Sequence, residues 1–322
     1  MNVYFAPMEG ITGYIFRNAY QKFYGNIDKY FAPFMSPADR CPMNPKERRD
    51  VIPENNTGLF LVPQILTCKS KHFIEAAAEL SLLGYREINL NLGCPSGTVC
   101  AKGKGAGFLS DTDKLDAFLE DIFDFSINNH IDISIKTRLG VHDPEEFYEL
   151  LDVYNKYPIK EIIIHPRIRS DFYKGEPRIE YITYAAKNSR NKLVYNGDIF
   201  TLDKFIEISS KEGVSNIIDF MLGRGLLYNP ELCEHIKSYS PTSLQGYNTS
   251  NQFDNERFKL FHDYVYREYQ KIMSPDINVL YKMKELWTYW RVLFPDSDKV
   301  IKKLLKAKKY VEYESCIRQL FV

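Results

Sequence analysis

The chain has 322 residues, of which 44% are hydrophobic and 26% charged, a globular composition that excludes wholesale disorder. Its 42 basic and 42 acidic residues cancel, but residues 236–322 contain 15 Lys and Arg against 10 Asp and Glu, so this part carries +5 and the remainder −5. No apolar stretch approaches the roughly 20 residues that span a bilayer, and the N-terminus lacks the features of a signal peptide, so we expect a cytoplasmic protein without membrane segments.

Short apolar or β-branched runs recur at a steady interval along the first 237 residues. They predict eight strands, at Val3–Ala6, Tyr30–Phe34, Leu59–Ile65, Glu87–Leu92, Ile131–Lys136, Glu161–His165, Lys192–Asn196 and Asn216–Leu222. Helical periodicity between most of them predicts helices at Phe73–Leu83, Leu115–Ile127, Phe147–Tyr154, Leu202–Ser209 and Leu226–Ile236. Eight such units favour an α/β fold, a (β/α)8 TIM barrel over residues 1–237, with a doubly wound open sheet as the alternative.

The pattern changes after the last predicted strand and helix. Residues 238–255 are polar and turn-rich, which predicts a linker. Residues 256–322 have helical spacing only and predict a small helical domain, with Phe258, Phe261, Val265 and Ile272 on one buried face. Six lysines fall within Lys299–Lys309, either as a solvated helix face or as an RNA-binding surface.

Polar or charged residues follow nearly every predicted strand, where barrel enzymes carry their active sites. The turns Asn196-Gly197-Asp198 and Gly223-Arg224-Gly225 follow strands 7 and 8, the usual phosphate site of such barrels. Their glycines allow close approach of backbone N–H groups, Arg224 supplies a permanent charge, and the Leu226–Ile236 helix could add its N-terminus. Two ordinary turns are the alternative interpretation.

Three further strand-end residues suit a planar heterocycle. Gln64 and His165 can donate or accept hydrogen bonds, and Lys136 ends an apolar strand as a cation. A flavin fits this set, because it combines a phosphate tail with a ring that becomes negative when reduced. Each residue alone could equally be structural.

The segment NLGCPSGTVCAKGKGAGFL is the most informative in the chain. Cys94 follows a strand and stands between Gly93 and Pro95, so its thiol should project from the barrel mouth. The run Gly103–Gly107 matches neither a Walker A motif nor GxGxxG, and we interpret it as a flexible loop over the site. The six cysteines form no CxxC pair and the six histidines have no ligand spacing, so we expect neither a disulfide framework nor a metal site.

In chain order, the segments APMEGIT, Gln64, NLGCP with its glycine-rich tail, IKTRLG, IHPR, NGDI and LGRG closely resemble the tRNA-dihydrouridine synthase family. Near the C-terminus, KMKELWTYW looks like that family's helical-domain helix, so the resemblance covers nearly the whole chain. It implies an FMN enzyme that reduces a uridine in tRNA to 5,6-dihydrouridine, with NADPH as the source of electrons.

The resemblance also implies roles for individual residues. Cys94 would be the proton donor, and Asn91, Arg138 and Arg167 would lie near the uracil. FMN would be held by Pro7, Met8, Gln64, Lys136, His165, Asn196, Gly197, Asp198, Gly223 and Arg224. Two departures from the family pattern are Pro166, which stands where glycine is common, and Cys100, a second thiol close to the first.

Two other functions stay open at this point. A flavin barrel that acts on a small molecule, such as a dihydroorotate dehydrogenase or an ene-reductase, would share the strand-end residues but would not need a basic helical part. A non-catalytic RNA-binding protein would not need the polar strand ends, and flavin absorbance in the purified protein would exclude it.

Overall fold

The computed structural model describes residues 1–217, 219–239 and 253–321. Its strands lie parallel in one sheet, in the order β3-β2-β1-β9-β8-β7-β6-β5-β4. They are β1 Asn2–Phe5, β2 Lys29–Phe31, β3 Leu61–Val62, β4 Gln64–Ile65, β5 Glu87–Leu92, β6 Asp132–Arg138, β7 Ile162–His165, β8 Leu193–Tyr195 and β9 Asp219–Leu222. All eight predicted strands are present, and each ends within three residues of its predicted end.

The sheet closes on itself at Pro63. The two strands at its ends, β3 and β4, are consecutive in the chain and separated by this single residue. Pro63 has no N–H to donate, which splits the predicted Leu59–Ile65 strand in two, while its carbonyl accepts a hydrogen bond from the Asn89 N–H at 2.9 Å. β3 pairs with β2 and β4 pairs with β5, so the strands form a (β/α)8 barrel and the open doubly wound sheet is excluded.

Helices surround the barrel and cover its apolar strands. They are α1 Tyr14–Phe23, α2 Pro45–Val51, α3 Ser70–Leu82, α4 Gly97–Cys100, α5 Thr112–Asn129, α6 Glu146–Tyr154, α7 Ile179–Asn188, α8 Leu202–Ser209, α9 Arg224–Tyr228 and α10 Leu232–Ser238. The predicted Leu226–Ile236 helix is wrong in one respect, because the chain breaks at Asn229-Pro230 into α9 and α10.

The C-terminal part is helical, as expected, and comprises α11 Asn255–Ile272, α12 Asp276–Trp290, α13 Asp298–Lys306 and α14 Tyr310–Leu320. Phe258, Trp287 and Trp290 form its buried aromatic core, whereas Ile272, predicted to be buried, is 40% exposed at the end of its helix. Most of the predicted linker, residues 240–252, lies outside the described residues.

The helix α11 packs directly on the barrel helix α1. The ring of Phe261 lies 5.6 Å from that of Phe16 and 5.3 Å from that of Tyr24, and Arg257 Nε donates to the Phe23 carbonyl at 2.7 Å. These contacts bring the C-terminal helices to the barrel mouth. Within the described ranges, none of the helices has the length and apolar character needed to cross a bilayer.

Candidate active site

A cavity of about 520 Å³ opens at the carboxyl ends of the strands. Most of the site residues predicted from the sequence line it. They are Pro7, Met8, Gln64, Asn91, Cys94, Lys136, Arg138, His165, Asn196, Gly197, Asp198, Gly223 and Arg224. Arg167 is the exception and lies behind His165.

Several lining residues were not predicted, and they come from loops and from α12. Glu285 and Tyr289 reach the cavity from α12, and the ring of Tyr289 lies 5.6 Å from that of Tyr228 in α9. Phe172 and Tyr173 line it from the loop after β7. Helical spacing identified the buried face of α12, but spacing alone does not show which loops the other side of a helix meets.

A chain of side-chain hydrogen bonds runs from the barrel interior to Cys94. Asn89 Nδ2 donates to Ser134 Oγ at 2.9 Å, and Gln64 Nε2 donates to Asn89 Oδ1 at 2.7 Å. Asn91 Nδ2 donates to Gln64 Oε1 at 2.8 Å, and Asn91 Oδ1 accepts the N–H groups of Gly93 at 3.0 Å and Cys94 at 2.9 Å. The β5 strand thus fixes the backbone of Cys94 through its own asparagines.

The glycine-rich run after Cys94 is not the flexible loop we expected. Gly105 and Ala106 are buried, and the Ala106 N–H donates to the Cys94 carbonyl at 3.0 Å. A Cβ on Gly105 would lie 2.8 Å from the Cys94 carbonyl oxygen, and one on Gly107 would lie 2.7 Å from the Cys100 Cα. The glycines are therefore required for close packing against the cysteine segment, which they hold in place.

The two thiols of this segment have different surroundings. Cys94 borders the cavity, and burial raises the pKa of its thiol, so it is protonated at neutral pH. Cys100 is absent from the described cavity lining, and its Sγ lies 3.4 Å from the Cys94 carbonyl oxygen. Of these two thiols, Cys94 is the one placed to present a proton to a molecule in the cavity.

Lys136 and His165 give the cavity one cation and one neutral ring. Burial lowers the pKa of Lys136 to about 7, with the charge of Arg138 as a second cause, and its ammonium has no hydrogen-bond partner in the described part of the chain. Burial and the nearby cations lower the pKa of His165 well below its usual value. Arg167 donates to His165 Nε2 at 3.0 Å, so the proton of the neutral ring is on Nδ1.

A salt bridge between Asp198 and Arg224 joins the turns after β8 and β9. Asp198 Oδ1 accepts from Arg224 at 2.5 Å and Asp198 Oδ2 accepts from Arg167 at 2.5 Å. Gly197 lies so close to the Tyr195 hydroxyl that a Cβ would be 2.9 Å from its oxygen. The Arg224 guanidinium also lies 4.8 Å from the Tyr173 ring centroid, at the cavity. The helix expected to follow this turn is the five-residue α9, with Arg224 itself at its start.

The unpartnered ammonium of Lys136, the Nδ1–H of His165 and the Arg224 guanidinium at one cavity fit the requirements of a flavin. The first two can meet an electron-rich ring, and the third can meet a phosphate. Arg138 and Arg167 are both buried and donate to backbone carbonyls of the loop after β7. Their predicted contacts with uracil stay predictions. In the described part of the chain no group of acidic, Cys or His side chains has a metal-binding arrangement.

Residues 4–312 match the model of the dihydrouridine synthase family. Among similar proteins, a probable tRNA-dihydrouridine synthase of Staphylococcus epidermidis is 30% identical over 70% of this chain and 68% of its own length. A probable tRNA-dihydrouridine synthase 2 of Bacillus subtilis is 28% identical over 70% of this chain and 69% of its own. A solved structure of an NCR variant from Zymomonas mobilis covers 73% of this chain and 86% of its own at 11% identity, with a TM-score of 0.49. Because the family match spans almost every residue from β1 to α14, this chain belongs to the dihydrouridine synthase family of oxidoreductases.

Proposed function

We propose that this protein reduces a specific uridine of tRNA to 5,6-dihydrouridine, with FMN in the cavity and NADPH as the reductant. The observation that carries the proposal is one cavity lined by Cys94, Lys136 and Arg224 in a chain of this family. A thiol, a cation and a phosphate-binding guanidinium are what the reaction and the cofactor require. The names of the relatives support tRNA as the substrate.

Bound FMN would supply the hydride for one carbon of the uracil C5–C6 double bond. Lys136 and His165 would hold its ring, Arg224 and the backbone of Asn196-Gly197-Asp198 would hold its phosphate, and Pro7, Met8, Gln64 and Gly223 would complete the pocket. Arg224 can turn from Asp198 to a phosphate without leaving Asp198 unpaired, because Arg167 also binds that carboxylate.

Cys94 would deliver the proton to the other carbon. Its raised pKa keeps the thiol protonated, and Asn91 fixes its backbone N–H while lining the same cavity. A base inside an RNA helix cannot reach this thiol, so the uridine must leave its stack. We further propose that residues 256–322 form an RNA-binding domain, joined by the linker at 238–255 to the barrel of residues 1–237.

The proposal is tested by mapping dihydrouridine in tRNA with mass spectrometry, in cells with and without the protein and in purified reactions. Loss of dihydrouridine at a defined position, restored by the wild-type protein, is expected. A purified protein that retains no flavin, or that reduces a small molecule but no RNA, would contradict it and favour the alternative flavin barrel.

Replacing Arg224 with alanine should weaken FMN binding about 10- to 100-fold, because it removes a charge-assisted phosphate contact of about 1.5–3 kcal/mol. Titration of the flavin-free protein, followed by flavin fluorescence, measures the change. Riboflavin, which lacks the phosphate, should bind wild type and variant alike. A loss of equal size for riboflavin would mean that Arg224 does not act on the phosphate.

Exchanging Lys302, Lys303 and Lys306 for glutamine should weaken tRNA binding and flatten its salt dependence. All three side chains are exposed, and none has an acidic partner in the described part of the chain. Each phosphate contact that is lost lowers the slope of log K against log salt by about 0.7–0.9, so the change is at most about three. FMN content should be unaltered.

The control for this triple variant exchanges three exposed lysines of the barrel, Lys114, Lys156 and Lys187, which already pair with acidic residues. It has the same change in net charge but should keep the wild-type salt slope to within about one unit. Equal slopes for both triple variants would show that α13 is an ordinary solvated helix.

A further inference from the structure

The loop that follows β7 carries an exposed surface beside the cavity. We define the rim segment as residues 168–175, which border the cavity through Phe172 and Tyr173. Both rings are exposed, 45% for Phe172 and 55% for Tyr173. The ring of Tyr173 is turned toward the cavity and lies 6.2 Å from that of His165. The ring of Phe172 has no aromatic partner in the described part of the chain.

Two buried arginines hold the backbone of the rim segment. Arg138 donates to the carbonyls of Ile168 at 2.9 Å and Phe172 at 2.7 Å. Arg167 donates to the carbonyls of Lys174 at 3.1 Å and Gly175. The segment therefore has a fixed shape before any partner arrives, and a partner that binds it does not have to order it.

The charges of the segment are unbalanced. Its acidic residue, Asp171, is neutralised by Arg178 at 2.5 Å. Its two cations, Arg169 and Lys174, have no acidic partner among residues 1–217, 219–239 and 253–321, and the Arg169 Nε is buried without a hydrogen bond. In the sequence, the half-buried Arg169 and the exposed Lys174 therefore flank Phe172 as two cations without an acidic partner in the described part of the chain.

The backbone at Phe172 adds a separate indication. Its φ of +52° lies in the region that favours glycine, and a bulky side chain is costly there. Folding would be served better by glycine, and an exposed phenylalanine contributes no core packing. A side chain kept in this position against its backbone preference points to a role in binding.

We propose that the rim segment is an RNA-contacting surface, in which Phe172 stacks on an unpaired base next to the uridine that enters the cavity. Arg169 and Lys174 would neutralise the phosphates on either side of that base. An aromatic ring flanked by free cations is the combination that binds single-stranded nucleic acid. The inference rests on the proposed function and adds a second recognition point to it, separate from the C-terminal lysines.

The test compares Kd and salt dependence for an unmodified tRNA transcript among variants of the full-length, flavin-loaded protein. Phe172→Ala should weaken binding about 5- to 150-fold with an unchanged salt slope, because stacking involves no counterion release. Phe172→Trp should bind at least as tightly as wild type. Arg169→Gln combined with Lys174→Gln should lower the salt slope by about 1.4–1.8.

A matched control is Phe60→Ala. Phe60 is 57% exposed and precedes β3, so it lies at the end of the barrel opposite the cavity. This variant should bind tRNA as the wild type does. Phe172→Gly serves as a second control, because it removes the ring while relieving the backbone, and it should raise the melting temperature while weakening RNA binding.

Equal Kd values for Phe172→Ala and Phe60→Ala would overturn the inference. The inference would also be overturned if Phe172→Trp bound tRNA as weakly as Phe172→Ala does. These outcomes are distinguishable from failure of the proposed function, in which the wild-type protein itself would form no dihydrouridine in the same transcript.

Discussion

Replacing Cys94 with alanine should slow dihydrouridine formation by about 10²- to 10⁴-fold, the usual contribution of general acid catalysis. The thiol borders the cavity, burial keeps it protonated, and its backbone is held by Asn91 and by the Gly105 turn. FMN binding and reduction of the flavin by NADPH should be almost unchanged, because neither uses the thiol. The measurement is single-turnover reoxidation of the reduced enzyme by tRNA.

Cys100→Ala is the matched control, since it removes the same atoms six residues away. We expect a loss of less than about tenfold, caused by the loosened contact with the Cys94 carbonyl. Two results would contradict the assignment: a Cys94→Ala variant as fast as the wild type, or a larger loss at Cys100. Burial raises the pKa of the Cys94 thiol above its ordinary value of 9.0. Ionisation of this thiol should therefore not slow the reaction at any pH below 9.0.

The affinity for FMN should fall as the pH rises from 7 to 9, by up to about tenfold per pH unit. In the flavin-free protein the pKa of Lys136 is lowered to about 7 by burial, so the side chain is mostly neutral at pH 8 to 9. A bound electron-rich ring favours the ammonium form and raises this pKa. Binding therefore takes up a proton in this window, and proton uptake makes binding weaker at higher pH. The phosphate of FMN keeps its charge over the same range.

Lys136→Met should remove this pH dependence, because methionine replaces the stem of the lysine without a titrating group. Arg224→Ala is the comparison, since it also removes a cation but should keep the slope at a lower affinity. Calorimetry in buffers with different heats of ionisation counts the proton directly. A wild-type affinity that does not change between pH 7 and 9 would show that Lys136 does not meet the flavin.

The strands could be predicted because each is a short apolar run between polar turns, a pattern that the barrel requires on every repeat. The helices were harder. In α1, buried Arg17 donates to Asp50 and to backbone carbonyls, so a charged residue interrupts the apolar pattern that predicts helix burial. The split at Pro63 depends on which strands neighbour it in space, which the local sequence does not contain.

The cavity-lining residues were predictable where they follow a strand, since the ends of parallel strands meet at one place. Glu285 and Tyr289 were not, because they reach the site through the packing of α11 on α1, a contact between residues more than 200 apart. Arg167 shows the opposite limit. Arg167 follows the end of β7, as active-site residues of a barrel follow the ends of its strands. Its guanidinium nevertheless turns away from the cavity and donates to His165 and Asp198.

The hydrogen-bonded amides of Asn89, Gln64 and Asn91 have a single consistent orientation. Because Gly93 and Cys94 contribute N–H groups, Asn91 must point its oxygen toward them, and every amide behind it must then point the same way, down to Ser134. Their dipoles therefore add in series, with the negative end at the Cys94 backbone. Three neutral side chains thus act as one oriented dipole, whose negative end beside Cys94 favours retention of a proton there. Burial raises the pKa of the Cys94 thiol, which is a shift in the same direction.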